Sequence, residues 1–324
     1  DQFVKTEGYC TDVFFRQAET WIEKTRGERP FFCYIATNAP HAPLDVPPEY
    51  EAKYAGQVPP QVAKFYGMIA NIDDNVGKLL DKLTEWNLER ETLVIFMNDN
   101  GGTAGVQVFN AGLRATKGTP WLGGTRASSF WRWPGTLDPK DVDRVAAHID
   151  FFPTLAELAG AKLDDKTRAQ VEGRSLVPLL KGESVEWPDR PLVTHVGRWP
   201  KGARPADYKY AQCSLRYGPW HLVSAGNGPT GGVGKKKQAD KSSPANSAVE
   251  WQLFQVLEDR AEQKNVASDH PEVVKKLATM YDEWWESVQP QLVNEDAVGP
   301  EQNPFKVRYE RQFGPGARVT PTTK

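Results

Sequence analysis

The sequence predicts an α/β fold, because apolar segments of strand length alternate with segments of helical periodicity over the first two hundred residues. The clearest periodic segment covers residues 65–86, where apolar side chains recur at steps of three and four and form one stripe of an amphipathic helix. Residues 92–97 follow as a β-branched, apolar strand of the kind that is buried in a parallel sheet. The remaining predicted elements of this part are helices at 13–22 and 149–158 and strands at 31–36, 129–133 and 192–196. This order predicts a mostly parallel central sheet flanked by helices.

The pattern changes after residue 200, where a smaller α+β region is predicted. Residues 210–215 and 220–223 form a predicted hairpin, and 251–254 can add another strand. A closing helix is predicted at 271–288. We therefore divide the chain into residues 1–200, an α/β domain, and residues 201–324, a small subdomain with antiparallel strands and a closing helix. The Gly-, Lys- and Ser-rich segment 226–248 is predicted to be a flexible loop.

Composition excludes several classes of protein. The chain has 324 residues, with 40 basic and 42 acidic side chains and a net charge of −2. A dedicated nucleic-acid binder usually carries a basic domain or stripe, so this balance argues against a nucleic-acid partner. No apolar run approaches the roughly 18 residues of a membrane helix, so no membrane partner is expected. The apolar content of 39% is typical of a globular protein.

The amino-terminal residues and the cysteines leave the cellular compartment open. Residues 1–8 contain no Met, no basic segment and no apolar segment of a signal peptide, and they read as the continuation of a longer chain. Cys10, Cys33 and Cys213 are too few and too widely spaced for a disulfide framework or a zinc ribbon.

The loop after the predicted strand 92–97 is the first candidate site. Asp99 and Asn100 offer hard oxygen ligands for Ca²⁺ or Mg²⁺, and Gly101 and Gly102 let the backbone turn sharply around an ion. Ligands of open α/β sheets bind at the carboxyl ends of the strands, which is where this loop lies. The same four residues are also good turn formers, so an ordinary turn is the alternative.

Two further loops carry groups suited to an anion. His41 lies between Pro40 and Pro43, after the predicted strand 31–36, where its imidazole can act as an acid, a base or a hydrogen-bond donor; a surface histidine is the alternative. Lys117 and Arg126 bound a glycine-rich loop that an anion can approach closely, although solvent-exposed cations are the ordinary case. A cation, an imidazole and an ammonium group around one point suit a tetrahedral oxyanion such as sulfate or phosphate.

Several motifs, in the same order, resemble the formylglycine-dependent sulfatases of the alkaline phosphatase superfamily. They cover most of the chain and lie at residues 8–13, 38–43, 73–77, 98–103, 117–126, 132–135, 148–155 and 251–265. The resemblance implies an alkaline-phosphatase-like sandwich and a sulfuric ester hydrolase that uses Ca²⁺ and a formylglycine nucleophile. It also implies a sulfated small molecule or glycan as substrate, and export to the periplasm or the exterior.

The resemblance assigns roles to individual residues. Asp99 and Asn100 would be two of the calcium ligands, Lys117 would contact a sulfate oxygen, and His41 would assist departure of the ester oxygen. Arg126 would add positive charge near the substrate. His195, at the end of the predicted strand 192–196, could approach the leaving group or have a structural role at the domain junction.

One landmark of that family does not occur in residues 1–324. The nucleophile arises in Cys-x-Pro-x-Arg or Ser-x-Pro-x-Arg, and no cysteine or serine of this chain fits either pattern. We therefore expect the nucleophile and the other half of the site in an amino-terminal segment of the same domain, and no sulfatase activity from this chain alone. The alternatives are a phosphodiesterase or phosphonate hydrolase on the same scaffold, and a non-catalytic fragment that binds sulfated ligands.

Overall fold

The computed structural model describes residues 2–197, 199, 203–226, 249–292 and 298–316. Apart from residue 226, the predicted flexible loop 226–248 lies outside the described residues.

The first third of the chain is built on two long helices that pack against each other. The periodic stripe predicted for residues 65–86 lies on the longer of them, which begins at two consecutive prolines, Pro59 and Pro60. Their shared core consists of Phe15, Ile22, Leu79, Leu83 and Trp86. The helices of this part are α1 (Cys10–Thr25), α2 (Pro48–Ala52) and α3 (Pro60–Glu85).

The strand predicted at 31–36 is not formed, although the backbone there is extended. Phe31, Cys33 and Ile35 pack on the core of α1 and α3, whereas Phe32 and Tyr34 on the opposite face are 73% and 80% exposed. A strand requires a neighbouring strand to satisfy its backbone groups, and no described residue pairs with this segment. The prediction of a buried strand is therefore wrong for the described structure.

The predicted mostly parallel sheet is also not confirmed, because every described strand pair is antiparallel. β1 (Val94–Met97) and β2 (Ser129–Arg132) form a two-stranded sheet in which Val94 opposes Arg132 and Met97 opposes Ser129. Phe96 and Met97 are each 38% exposed, so β1 is only partly covered.

A buried carboxylate organises the segment that connects the two sheets. Asp150 is fully buried, accepts hydrogen bonds from the backbone N–H groups of Ala147 and Arg174 at 2.8 Å, and is paired with Arg190. These bonds bring chain positions that are 40 residues apart to one point. Helix α4 (Leu122–Thr125) lies between β1 and β2, and the connecting segment contains α5 (Phe151–Leu158), α6 (Asp165–Arg168) and α7 (Val177–Lys181).

The carboxyl-terminal subdomain is a four-stranded antiparallel sheet covered by one helix. Its strands, adjacent in chain order, are β3 (Leu192–His195), β4 (Cys213–Tyr217), β5 (Trp220–Ser224) and β6 (Gln252–Gln255). Helix α8 (Pro271–Val288) packs Leu277, Tyr281 and Trp285 on this sheet. The predicted hairpin and closing helix are both present. Because β3 pairs with β4, the predicted boundary at residue 200 separates two strands of one sheet.

The last described helix, α9 (Pro304–Phe313), contacts the beginning of the described chain. The backbone N–H and C=O of Phe3 bond to the side-chain amide of Gln312, and the Phe3 ring lies edge-on to Tyr309. None of the helices in the described ranges combines the length and apolar character needed to cross a membrane.

Candidate active site

Asp99 and Asn100 lie in the loop that continues from β1, as the sequence predicts. Asn98 N–H donates to Ser128 O at 3.1 Å, so the antiparallel pairing with the β2 side extends one step beyond the strand. Asp99 is exposed and Asn100 is half-buried. The Asn100 amide Nδ2 donates to Gly101 O at 3.0 Å, which makes Oδ1 the atom that this residue offers to a metal ion.

Glycines allow the Asp99 loop to contact the glycine-rich loop. Gly101 N–H donates to Gly124 O at 3.1 Å. A Cβ atom at position 101 would lie 1.8 Å from Gly123 O, and one at position 123 would lie 2.2 Å from Arg114 O. No side chain fits at either position without backbone movement. The structure therefore brings together two loops that are predicted separately from the sequence.

Lys117 is attached to the Asp99 loop by its own backbone. Lys117 N–H donates to Gly102 O at 3.0 Å, and the Thr116 hydroxyl donates to the same oxygen at 2.5 Å. The Lys117 side chain thus projects from a backbone position that is fixed relative to Asp99 and Asn100.

Arg126 directly follows α4 and has a second cation, Arg216, nearby. Burial lowers the pKa of the Arg216 guanidinium below its ordinary value; the charge of Asp189 opposes this shift and that of Arg126 adds to it. Arg216 was not singled out in the sequence, because its position opposite the loop depends on β4 and not on a local motif. Because the Asp189 carboxylate offsets the charge of Arg216, Arg126 supplies, among the described residues, the uncompensated positive charge of this pair.

His41 occupies an exposed turn between two cis peptide bonds, Ala39–Pro40 and Ala42–Pro43. Its backbone N–H donates to Asn38 O at 2.9 Å, and its ring Nδ1 lies 2.7 Å from Ala42 O. A carbonyl oxygen can only accept, so Nδ1 carries the hydrogen and Nε2 is the nitrogen that can interact with a ligand.

One open cleft of about 5180 Å³ contains five of the six predicted site residues. The five that line it are His41, Asp99, Asn100, Lys117 and Arg126. In the described part of the chain, no hydrogen bond joins His41 to the Asp99 loop or the Lys117 loop. The cleft also exposes apolar side chains, including those of Phe32, Tyr34, Phe96 and Phe130.

His195 is not among the residues that line this cleft. Its Nε2 lies 2.9 Å from Tyr208 O, and Gly197 N–H donates to its Nδ1 at 2.9 Å, so both ring nitrogens are engaged. Its ring contacts Trp285 and Trp199, and burial lowers its pKa. This environment stabilises the neutral ring and is typical of a structural histidine.

The donor chemistry of the Asp99 loop fits a hard cation in part. Ca²⁺ takes 6–8 oxygen ligands in proteins, and a carboxylate beside a side-chain amide supplies atoms of the preferred kind. Within the described ranges, no group of three or more His, Cys, Asp or Glu side chains is placed to hold a metal ion. The loop would therefore provide some ligands of a calcium site and not a full set.

Comparisons with known proteins agree with one another. Residues 1–161 match the family model described as Sulfatase. A sulfatase of Formosa agariphila is 34% identical over 194 residues, which are 55% of this chain and 35% of that protein. Human arylsulfatase A is 36% identical over 161 residues, which are 48% of this chain and 30% of that protein. The chain spans about a third of the length of these curated relatives.

Solved structures extend the similarity over almost all of the chain. The crystal structure of Ps i-CgsB in complex with k-i-k-neocarrahexaose matches with a TM-score of 0.72 and 25% identity, covering 97% of this chain and 61% of that chain. The phosphonate monoester hydrolase of Agrobacterium radiobacter has the same fold, with a TM-score of 0.57 and 18% identity over 89% of this chain and 63% of that chain. The predicted α/β class and the predicted alkaline-phosphatase-like fold are confirmed by these neighbours.

Proposed function

The chain belongs to the sulfatase family, and from this we propose that it supplies one part of an active site that hydrolyses sulfate monoesters. The observation that carries the proposal is the attachment of Lys117 to the Asp99 loop through Gly102. Hard oxygen ligands and an ammonium group on one rigid backbone unit are suited to a tetrahedral oxyanion that carries negative charge.

Each residue has a defined task in this proposal. Asp99 and Asn100 would hold Ca²⁺, which would supply positive charge where negative charge develops on the sulfuryl oxygens. Lys117 donates hydrogen bonds to one of those oxygens, and Arg126 raises the local positive potential. As the nucleophile of the amino-terminal segment bonds to sulfur and the bond from sulfur to the ester oxygen breaks, Nε2–H of His41 would give its proton to that oxygen, so that the alcohol leaves neutral.

We place the formylglycine nucleophile outside residues 1–324. No Cys-x-Pro-x-Arg or Ser-x-Pro-x-Arg sequence occurs in the chain. Burial also raises the pKa of the Cys33 thiol and raises that of Cys213 to about 12, which disfavours the reactive thiolate at both positions. An amino-terminal segment of the same domain would carry the nucleophile and the remaining calcium ligands.

The apolar side of the cleft supports such a segment. Phe32, Tyr34 and Phe130 line the cleft and are 65–80% exposed, which is unusual for large aromatic side chains. The curated relatives are about three times as long as the part that this chain spans. We propose that further polypeptide of the domain covers these side chains and brings the nucleophile to Lys117.

A sulfated small molecule or glycan is the proposed substrate. The solved neighbour in complex with k-i-k-neocarrahexaose supports the glycan class. Family membership also supports a periplasmic or secreted location. The alternative of a phosphodiesterase or phosphonate hydrolase has one observation in its favour, the shared fold of the phosphonate monoester hydrolase.

The proposal is tested by assaying the natural gene product with 4-nitrophenyl sulfate, with the phosphodiester bis(4-nitrophenyl) phosphate and with the phosphonate ester 4-nitrophenyl phenylphosphonate. We expect hydrolysis of the sulfate, and Lys117→Ala should lower kcat/KM by about 100- to 1000-fold, as for loss of one oxyanion donor. Lys275→Ala is the matched control, because Lys275 is exposed on α8 and does not line the cleft. Faster hydrolysis of the phosphodiester or the phosphonate ester would favour the alternative, and ligand binding without turnover of any of the three esters would favour the non-catalytic one.

The same assay on residues 1–324 alone tests the position of the nucleophile. We expect no turnover of 4-nitrophenyl sulfate by this fragment. Turnover that His41→Ala abolishes would show that the chain contains its own nucleophile and would contradict the proposed covering segment.

A further inference from the structure

A fully buried glutamate of the carboxyl-terminal subdomain binds both ends of the segment that carries Lys117. Glu262 Oε2 accepts a hydrogen bond from Leu122 N–H at 2.8 Å, and Glu262 O accepts one from Arg114 Nη1 at 2.8 Å. Lys117 lies between these two attachment points. One residue, about 140 positions away in sequence, thus closes the segment 114–122.

The second carboxylate oxygen of Glu262 is held by the sheet. Glu262 Oε1 lies 2.6 Å from Nδ1 of His221, which is buried on β5 and opposes Phe254 of β6. The carboxylate therefore joins the sheet core to the backbone of the segment. Burying a carboxylate costs free energy unless its oxygens accept hydrogen bonds. Movement of either hydrogen-bond partner away from Glu262 would therefore be unfavourable.

Packing around Arg114 reinforces the same attachment. The Arg114 guanidinium carbon lies 3.6 Å from the centre of the Trp121 ring, and Trp121 packs edge-on against Phe254. Ser214 on β4 donates to Pro120 O at 3.0 Å. The segment is thereby fastened to strands β4, β5 and β6 near its carboxyl-terminal end.

The backbone of Glu262 indicates that the position is constrained. Its φ angle is +53°, in the left-handed region that residues with a side chain rarely adopt. Such a conformation persists only when the surroundings hold it, and it is concentrated at sites where geometry matters.

We propose that Glu262 is a positioning residue that acts through Lys117. It fixes the segment 114–122, and the bond from Lys117 N–H to Gly102 O transmits that position to the Asp99 loop. The carboxyl-terminal subdomain thereby sets the geometry of the oxyanion site. This inference rests on the proposed function for its catalytic consequence, whereas the attachment itself does not depend on any activity.

Hydrogen exchange tests the attachment in the chain of residues 1–324. Glu262→Ala should speed exchange of the amides in 114–124 by about tenfold, because the bond to Leu122 N–H is lost. Glu262→Gln keeps an oxygen acceptor and should show a smaller increase. Glu258→Ala is the matched control, since Glu258 is exposed in the turn that precedes Glu262. Unchanged exchange in 114–124, or an increase spread evenly over the chain in both Glu262 variants, would overturn the proposal.

A double-mutant cycle in the natural gene product tests the action through Lys117. Glu262→Ala should lower kcat/KM for 4-nitrophenyl sulfate by about 10- to 100-fold, the loss expected for a small misplacement of a catalytic group. Combined with Lys117→Ala, it should cost little beyond Lys117→Ala alone, and Glu262→Gln should recover most of the activity. Losses that multiply would assign Glu262 a role independent of Lys117 and overturn the proposal. If no sulfate ester is hydrolysed at all, the proposed function fails, and the exchange experiment still decides the attachment.

Discussion

The part of the chain that precedes β3, which we call the amino-terminal region, and the carboxyl-terminal subdomain differ in how they cover their apolar side chains. In the subdomain, Leu215, Leu222, Leu253 and Tyr281 are completely buried between the four-stranded sheet and α8. In the amino-terminal region the core of α1 and α3 is covered on one side only, and Phe32 and other aromatic residues of the cleft face solvent. The subdomain completes its own core, whereas the amino-terminal region presents a surface with the character of an interior.

The comparison also explains why the site depends on both regions. The Asp99 and Lys117 loops belong to the amino-terminal region. The segment that carries Lys117 is bonded through Arg114 and Leu122 to Glu262 of the carboxyl-terminal subdomain. An open surface by itself has little to hold a loop in one position. The completed core provides a rigid support for groups that face a cleft.

The largest expected effect comes from a pair of phenylalanine substitutions. Phe254 is 1% exposed and Phe130 is 65% exposed. Phe254→Ala should lower the free energy of unfolding by about 3–5 kcal/mol, because it leaves a cavity where the subdomain sheet packs on Trp121 and Leu122. Phe130→Ala should cost about 1 kcal/mol or less in residues 1–324. Denaturant unfolding followed by circular dichroism measures both.

The same two substitutions can also contradict the difference between the two regions. If Phe130→Ala destabilises residues 1–324 as much as Phe254→Ala does, the amino-terminal face is covered and the contrast is wrong. In the natural gene product the cost of Phe130→Ala should rise to about 3 kcal/mol, because the proposed covering segment would bury the ring. An equally small cost in both forms would contradict that segment.

A smaller effect is expected from Asp150, the buried carboxylate in the segment that connects the two sheets. Asp150→Ala leaves the buried Arg190 guanidinium without its partner and removes the acceptor of two backbone N–H groups. The free energy of unfolding should fall by about 3 kcal/mol. Thermal unfolding of the variant measures the loss. The exposed Asp138 is the matched control, and an equal loss in Asp138→Ala would show that the buried contacts of Asp150 contribute nothing specific.

Local elements of the fold could be predicted from the sequence, because their signals lie within one segment. The stripe on α3, the hairpin β4–β5 and the helix α8 each follow from periodicity or turn residues in neighbouring positions. The strand at 31–36 and the parallel sheet could not be predicted reliably. Strand pairing depends on partners that are distant in sequence, and the same apolar run can form an unpaired extended segment.

The residues of the candidate site also divide into those that local sequence reveals and those that depend on distant contacts. Asp99 and Lys117 are found from the sequence because glycine-rich loops at strand ends have a recognisable composition. Glu262 and Arg216 were missed, because their positions depend on contacts that cross from one region to the other. His195 is the last residue of β3, and its ring nitrogens bond to Tyr208 and Gly197 of its own subdomain.

The smallest expected effect is a pH dependence from His195 in the closed subdomain. Burial lowers the pKa of its ring below the ordinary 6.5, so the unfolded chain binds a proton at a higher pH than the folded chain does. Protonation of Nδ1 would also place two donors, this nitrogen and Gly197 N–H, against each other. The free energy of unfolding should therefore fall as the pH drops below about 6.5. His195→Gln retains a donor for Tyr208 O and removes the titrating ring. The free energy of unfolding of this variant should fall less steeply as the pH drops, and the difference in slope should correspond to less than one proton bound on unfolding. Unfolding curves between pH 5 and pH 8 measure it, and parallel curves for the two proteins would show that the burial of this ring is not coupled to folding.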